Sequence, residues 1–132
     1  MIYALDTNTL ICFFRGQGRV GERLLATPPS QVCIPTVVVF EINAGLERLR
    51  DPERRRRQFD ELLSVTVTLP FDTDSARAAA EIRAGLEGAG TPIGPFDTLI
   101  AGTALAHGAD LVTRNEREFS RAAGLRVHNW YE

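Results

Sequence analysis

Short apolar runs alternate with longer segments of helical periodicity along this chain. Apolar runs of three to five residues bounded by polar or turn residues are typical of strands buried on both faces. Such runs predict five strands, at residues 2–5, 32–34, 65–69, 111–113 and 126–128.

Helical spacing of apolar residues fills the segments between these runs. The pattern predicts helices at residues 10–14, 20–25, 37–49, 53–63, 73–88, 97–107 and 115–121. Thr36 is the expected cap of the third helix, Asp72 or Thr73 is expected to begin the fifth, and Pro52 suits a first helical turn. Strands that alternate with helices predict an α/β fold with a central parallel sheet covered on both faces.

Length and composition predict one ordinary globular domain over residues 1–132, with 44% hydrophobic and 24% charged residues. All 15 basic residues are arginine, which excludes chemistry that needs a lysine, such as a Schiff base or a Walker-type phosphate loop. A net charge of −2 excludes a globally basic nucleic-acid protein. Two cysteines and two histidines lack the spacing of a zinc site. The N-terminal residues resemble neither a secretory signal nor a membrane span, so the expected location is the cytosol.

Polar side chains follow or precede elements at the edge of the sheet where the strands end. Asp6 follows the first strand, Asp97 opens a helix, and Asn115 follows the strand that ends at Thr113. Functional sites of open parallel sheets lie at this edge. Helix capping is the other interpretation of each of these residues, and Asn115 with Glu118 has the spacing of a capping box.

Glu41 stands among apolar and small neighbours at helical spacing, including Val37, Val38 and Ala44. A carboxylate there is costly unless something compensates it. A functional role is one interpretation; a buried salt bridge to an arginine, or a position at the border of the buried face, are the others. If Asp6, Glu41 and Asp97 converge, their like charges call for a cation, and Mg²⁺ or Mn²⁺ suits carboxylate ligands and phosphodiester hydrolysis.

Four motifs occur in order along the chain: IYALDTNTLI, PTVVVFEINAGLERL, IGPFDTLIAGTALAHGADLVTRNEREF and GLRVHNWYE. With this spacing the chain resembles the PIN-domain ribonucleases, most closely the VapC toxins of bacterial toxin–antitoxin pairs. The resemblance implies a three-layer α/β/α sandwich and a metal-dependent endoribonuclease. It also implies a tRNA or rRNA substrate, an antitoxin that inserts a basic side chain into the acidic groove, and a homodimer.

The same resemblance assigns roles to individual residues. Asp6, Glu41 and Asp97 would be the catalytic and metal-binding acids, and Thr7 and Thr113 polar supports. Asn115 falls where many members carry a fourth acid; Glu116 and Glu118 are near enough to be considered as substitutes, with a cap or solvent role as the favoured interpretation.

Arginines beside the proposed site are candidates for RNA phosphate contacts, because guanidinium groups bind phosphate in a bidentate manner. They are Arg15, Arg19, Arg114 and Arg117. Phenylalanines 13, 14, 40, 59 and 96 are expected in the core rather than as base-stacking surfaces.

Two other functions remain compatible with parts of the sequence. A non-catalytic module could use the acidic pocket to bind a basic peptide. Phosphatases with an aspartyl nucleophile share a strand followed by an acid such as Asp6, but they need a second acid where Asn8 stands and also a lysine.

Overall fold

The computed structural model describes residues 1–132, and its five strands form one sheet in which every neighbouring pair is parallel. The strands are β1 (Tyr3–Leu5), β2 (Val32–Pro35), β3 (Val67–Leu69), β4 (Asp110–Val112) and β5 (Val127–His128). Their order in the sheet is β3-β2-β1-β4-β5. The α/β class and the parallel sheet expected from the sequence are confirmed.

Seven α-helices connect the strands, and a 3₁₀ turn at Pro29–Gln31 precedes β2. The helices are α1 (Thr7–Phe14), α2 (Val20–Leu25), α3 (Thr36–Leu46), α4 (Glu53–Val65), α5 (Thr73–Gly88), α6 (Pro95–Ala106) and α7 (Glu116–Phe119). Every predicted helix is present. No helix combines the length and the apolar composition needed to cross a membrane.

Several helix ends differ from the sequence prediction. Thr36 is the first residue of α3 and not its cap, because its hydroxyl accepts a hydrogen bond of 3.1 Å from the backbone N–H of Phe71 instead. Helix α3 ends three residues before the predicted Leu49. Pro52 stands at the N-cap of α4 rather than inside its first turn. Thr73 is the first residue of α5 and Asp72 is its cap, accepting a hydrogen bond of 2.9 Å from the N–H of Ser75.

Helices α5 and α6 pack closely through Gly102. A Cβ at that position would lie 2.6 Å from the Cβ of Ala79 and 2.7 Å from its backbone nitrogen. Since nothing larger than glycine fits, this contact fixes α6 against α5, and with it the first turn of α6, which contains Asp97.

The order in which the chain adds strands to the sheet reverses at β1. The chain adds β2 and then β3 on one side of β1, and afterwards adds β4 and β5 on the other side. A crevice at the carboxyl ends of the strands is expected at such a switch point. Asp6 directly follows β1, and Thr113 directly follows β4.

Candidate active site

Asp6 lies at the switch point and is 3% exposed. Its Oδ1 accepts a hydrogen bond of 2.8 Å from the N–H of Thr9, so it also caps α1. Burial raises the pKa of the Asp6 carboxyl, hydrogen bonds with Thr113 and Thr9 oppose that rise, and the charge of Glu41 adds to it. The capping and the functional interpretations of Asp6 are therefore compatible.

Glu41 is held by Thr7, whose hydroxyl donates a hydrogen bond of 2.6 Å to Glu41 Oε1. The buried stripe of α3 consists of Val38, Ile42 and Leu46, so Glu41 lies at the border of that stripe and is half-buried. Of the interpretations left open by the sequence, the border position agrees with the structure, and the buried salt bridge does not, because no arginine pairs with Glu41. Thr7 directly follows Asp6 in the chain, so this hydrogen bond holds the Glu41 carboxylate near Asp6.

Asp97 lies in the first turn of α6 and is half-buried. Its pKa is raised to about 6, first by burial and then by the charges of Asp6, Glu41 and Glu118. Like charges favour the protonated form of a carboxyl only at short range. The structure therefore brings together the three acids predicted from the sequence.

Glu118 is an acid for which the sequence analysis preferred a capping or solvent role. It is half-buried and close enough to Asp97 to raise the pKa of that carboxyl. The predicted capping box is absent: Asn115 makes no side-chain cap bond and instead donates from Nδ2 to Glu118 Oε2 at 2.8 Å. The capping-box spacing in the sequence had identified Asn115 and Glu118 as a pair. Only the packing of the folded chain shows that Glu118 lies near Asp97.

Thr113 connects this pair to Asp6. The Thr113 hydroxyl accepts a hydrogen bond of 2.9 Å from the N–H of Asn115, and the same side chain lies close enough to the Asp6 carboxyl to lower its pKa. Thr113 is fully buried. Thr113 therefore lies next to Asp6 and Asn115, and its role as a polar support stays a prediction.

Oxygen ligands suited to a hard divalent cation are thus gathered at one edge of the sheet. No three acidic, histidine or cysteine side chains are yet arranged closely enough to hold one ion. The carboxylates form an acidic cluster without a ready coordination shell. We use the term acidic cluster for Asp6, Glu41, Asp97 and Glu118.

The four candidate arginines separate into two groups. Arg15 and Arg114 line a cleft beside the acidic cluster, together with Asn115. Arg19 is instead paired with Glu22 at 3.1 Å, which raises the pKa of the Arg19 guanidinium. Arg117 is exposed and does not line the cleft.

Two phenylalanines expected in the core are exposed next to the acidic cluster. Phe40 is 56% exposed and Phe96 is 43% exposed, and their rings contact each other with centroids 5.5 Å apart. Each directly precedes an acid of the cluster in the sequence. Phe59 is buried as expected, whereas the rings at 13 and 14 are half-buried.

Asp110 lies at the start of β4, at the edge of the sheet opposite the acidic cluster. It is 2% exposed and accepts hydrogen bonds from Arg126 Nε at 2.9 Å and from His128 Nε2 at 2.7 Å. Its contacts are accounted for by these two partners. Asp110 therefore has a structural role at this edge of the sheet.

Comparison with known proteins identifies the family to which this fold belongs. Residues 3–125 match the PIN domain. A relative from Shigella flexneri named tRNA(fMet)-specific endonuclease VapC is 37% identical over 131 residues, covering 97% of each chain. The fold of this chain is also similar to that of a chain in DNA-bound VapBC from Salmonella typhimurium (TM-score 0.90, 36% identity, 98% of each chain). A DNA-bound VapBC2 from Rickettsia felis has a TM-score of 0.90 and 30% identity over 98% of this chain and 99% of that one. The chain belongs to the PIN domain family and, within it, to the VapC-type toxins.

Proposed function

We propose that this protein is a divalent-metal-dependent endoribonuclease that acts as the toxin of a toxin–antitoxin pair. The observation that carries the proposal is the gathering of four carboxylates at the switch point, where burial first, and then the charges of Asp6, Glu41 and Glu118, raise the pKa of Asp97 to about 6. Such repulsion is relieved when a cation lies between the carboxylates. Membership of a family whose named relatives are ribonucleases supports the substrate class.

Asp6, Glu41 and Asp97 are proposed as the residues that hold Mg²⁺ or Mn²⁺ and contact the reacting phosphate. Glu118 is proposed as the fourth acid, because Asn115 stands where many family members carry that acid. Thr7 fixes the Glu41 carboxylate by its hydrogen bond, and Thr113 fixes Asp6 from the neighbouring strand. Asn115 restrains Glu118 through its amide nitrogen.

When bound, a divalent cation supplies a water of lowered pKa and neutralises charge on the phosphate. The chain's own contribution is to hold four carboxylates at the switch point without a lysine or histidine among them. Both histidines are used elsewhere: His107 lies 3.4 Å from Asp72, and His128 pairs with Asp110. We therefore expect no histidine to act as a general base at the acidic cluster.

RNA cleavage in the presence of Mg²⁺ or Mn²⁺ tests this proposal. Asp6→Asn and Asp97→Asn should each abolish cleavage while the thermal transition is retained, and Glu118→Gln should reduce it. Asp74→Asn is the matched control, because Asp74 is 81% exposed on α5, with only a long 3.9 Å contact to Arg77. Cleavage by Asp97→Asn at the wild-type rate would overturn the assignment. Absence of both cleavage and any metal-induced rise in melting temperature would favour the non-catalytic binding module instead.

A structured RNA of the tRNA or rRNA class is the proposed substrate. Relatives from Salmonella typhimurium and Shigella flexneri are named tRNA(fMet)-specific endonucleases, which makes initiator tRNA the first substrate to test. Preferential cleavage of that tRNA over the other tRNAs of the same cell would support the proposal. Equal cleavage of all of them would contradict a preference for initiator tRNA.

A cognate antitoxin is the proposed protein partner, inserting a basic side chain into the acidic cluster. Several similar solved structures are toxin–antitoxin complexes. If the proposal holds, adding the antitoxin should block cleavage, and replacing its inserted arginine or lysine by glutamine should restore it.

A homodimer is the proposed working unit. The exposed contact between Phe40 and Phe96 supports an apolar interface beside the acidic cluster. Sedimentation equilibrium should give a dimer for the wild-type protein and a monomer for the combined Phe40→Ser and Phe96→Ser variant. A single domain over residues 1–132 and a cytosolic location stay predictions from the sequence.

A further inference from the structure

A cleft of about 390 Å³ lies beside the acidic cluster, between α1 and the loop that follows β4. Its polar lining consists of Asn8, Arg15, Gln17, Arg114 and Asn115. Asn8 and Arg15 are seven residues apart and therefore project from the same side of α1. The cleft joins the acidic cluster at both walls, because Asn8 follows Thr7 in the chain and Asn115 hydrogen-bonds Glu118.

The cleft is lined by positive charge, whereas the neighbouring acidic cluster is negative. Two guanidinium groups line it and no carboxylate does. Neither Arg15 nor Arg114 forms a salt bridge. In an acidic protein of net charge −2, two unneutralised arginines beside four acids form a local site for an anion.

Tyr131 holds one of these arginines in place. The Arg114 guanidinium carbon stacks 3.6 Å from the centre of the Tyr131 ring. The ring also packs against Gly18, where a Cβ would lie 2.6 Å from ring carbon Cδ2. The Tyr131 carbonyl accepts a hydrogen bond of 2.8 Å from the N–H of Arg19. This clamping lowers the entropy that Arg114 would lose when it binds an anion.

We propose that the cleft is a subsite for an RNA backbone phosphate next to the one that is cleaved, with Arg15 and Arg114 as its ligands. Tyr131 is a positioning residue for Arg114. The inference rests on the proposed ribonuclease function. RNA fits this juxtaposition better than an acidic peptide, because a phosphodiester chain that enters the acidic cluster continues directly into the cleft. The amides of Asn8, Gln17 and Asn115 suit phosphate and ribose oxygens.

Binding and cleavage are measured separately to test the subsite. Binding uses a fluorescein-labelled initiator tRNA transcript and the Asp97→Asn protein, and cleavage uses the active protein. Arg15→Gln and Arg114→Gln should each weaken tRNA binding on the order of tenfold and lower the salt dependence of log K by about 1. In the active protein they should raise KM more than they lower kcat. Arg77→Gln on α5 removes the same charge at a 76% exposed site and should bind like the parent.

Tyr131 is tested with a conservative pair of variants. Tyr131→Leu removes the stacked ring and should weaken tRNA binding severalfold, whereas Tyr131→Phe keeps the ring and should restore it. Melting temperatures measured in parallel identify any variant that loses binding through unfolding. Equal binding by folded Tyr131→Leu and Tyr131→Phe would overturn the positioning role.

Other outcomes distinguish this proposal from the ribonuclease assignment. Wild-type tRNA affinity and salt dependence in Arg114→Gln would overturn the subsite even if cleavage requires Asp97. A glutamate-rich peptide that binds only when both arginines are present, while tRNA binding is unaffected by their loss, would also overturn it. Cleavage that persists in Asp97→Asn would refute the active-site assignment, while the arginine variants still report on binding. A parent protein that binds no tRNA would overturn both.

Discussion

The hydroxyl of Thr7 donates a hydrogen bond of 2.6 Å to Oε1 of Glu41. This contact joins the first residue of α1 to the middle of α3, across 34 positions of the chain. Because Asp6 directly precedes Thr7, the bond also restrains the distance between Asp6, which follows β1, and Glu41, which lies on the helix that follows β2. The half-buried Glu41 side chain has no other hydrogen-bond partner in the structure.

Replacing Thr7 by valine keeps the side-chain shape and removes only the hydroxyl. We expect Thr7→Val to lower kcat on the order of tenfold, since residues that orient proposed ligands have effects of this size. The free energy of unfolding should fall by about 1 kcal/mol. Thr7→Ser retains the donor and should retain most of the activity. Wild-type kcat in Thr7→Val, measured on initiator tRNA, would show that the bond does not matter for catalysis.

The position of Glu41 shows where a sequence pattern stops being informative. Residues 37–40 are Val, Val, Val and Phe, and four consecutive helical residues at 100° spacing surround most of the helix. Such a run predicts a helix but does not reveal which side faces the core. The burial of Val38, Ile42 and Leu46 is decided by packing against the sheet, and it moves Glu41 to the border.

Other parts of the site were predictable to different degrees. Asp6 was placed correctly, because a buried strand followed by a polar residue marks the carboxyl edge of a parallel sheet. The proximity of Glu118 to Asp97 was not predicted, because α7 is a single turn whose orientation comes from contacts distant in the sequence. Exposed Phe40 was expected in the core, since an apolar side chain has the same signature in a core and on an interface.

Gly102 provides a test of how α6 is positioned. Gly102→Ala would place a methyl group against the backbone of Ala79, and we expect it to lower the free energy of unfolding by about 1–3 kcal/mol. The displaced α6 contains Asp97, so cleavage should also fall in the protein that remains folded. Urea denaturation and single-turnover cleavage measure the two effects.

Gly85→Ala is the matched control for that variant. Gly85 lies inside α5, and an added Cβ there meets nothing within 4 Å. The same substitution should therefore stabilise the protein by about 0.5–1 kcal/mol, because alanine loses less entropy than glycine in a helix. Similar destabilisation by both variants would show that the Gly102 contact is not special.

The pKa of Asp97 predicts how the metal-free protein responds to pH. The folded protein holds the Asp97 proton to about pH 6, against an ordinary value of 3.8. Because the folded state binds this proton more tightly than the unfolded chain, stability falls as pH rises through that interval. At pH 7 in EDTA, Asp97→Asn should raise the free energy of unfolding by about 1 kcal/mol, a value discounted for the half-exposed carboxyl.

Divalent cations should reverse this behaviour in the wild-type protein. Mn²⁺ that binds the folded state raises the melting temperature by mass action, and the rise should be larger at pH 7 than at pH 5, where Asp97 is protonated. Asp97→Asn should show a much smaller rise. Identical stability of the two metal-free proteins at every pH from 4 to 7 would contradict the proposed repulsion.

Asp110 predicts a separation of stability from activity at the opposite edge of the sheet. Its buried carboxylate accepts hydrogen bonds from Arg126 and His128, so Asp110→Asn removes the charge that both partners face. We expect the free energy of unfolding to fall by about 2 kcal/mol, less than for a fully buried pair because Arg126 is 72% exposed. Cleavage per folded molecule should stay at the wild-type value.

Two further variants decide whether the loss of stability comes from the pairing with His128. His128→Gln alone should destabilise the protein, and its combination with Asp110→Asn should cost less than the sum of the two, because both changes break one contact. Additive losses would assign the effect of Asp110 to Arg126 instead. A folded Asp110→Asn protein without cleavage activity would mean that this edge of the sheet contributes to catalysis, since no acid of the acidic cluster has been altered.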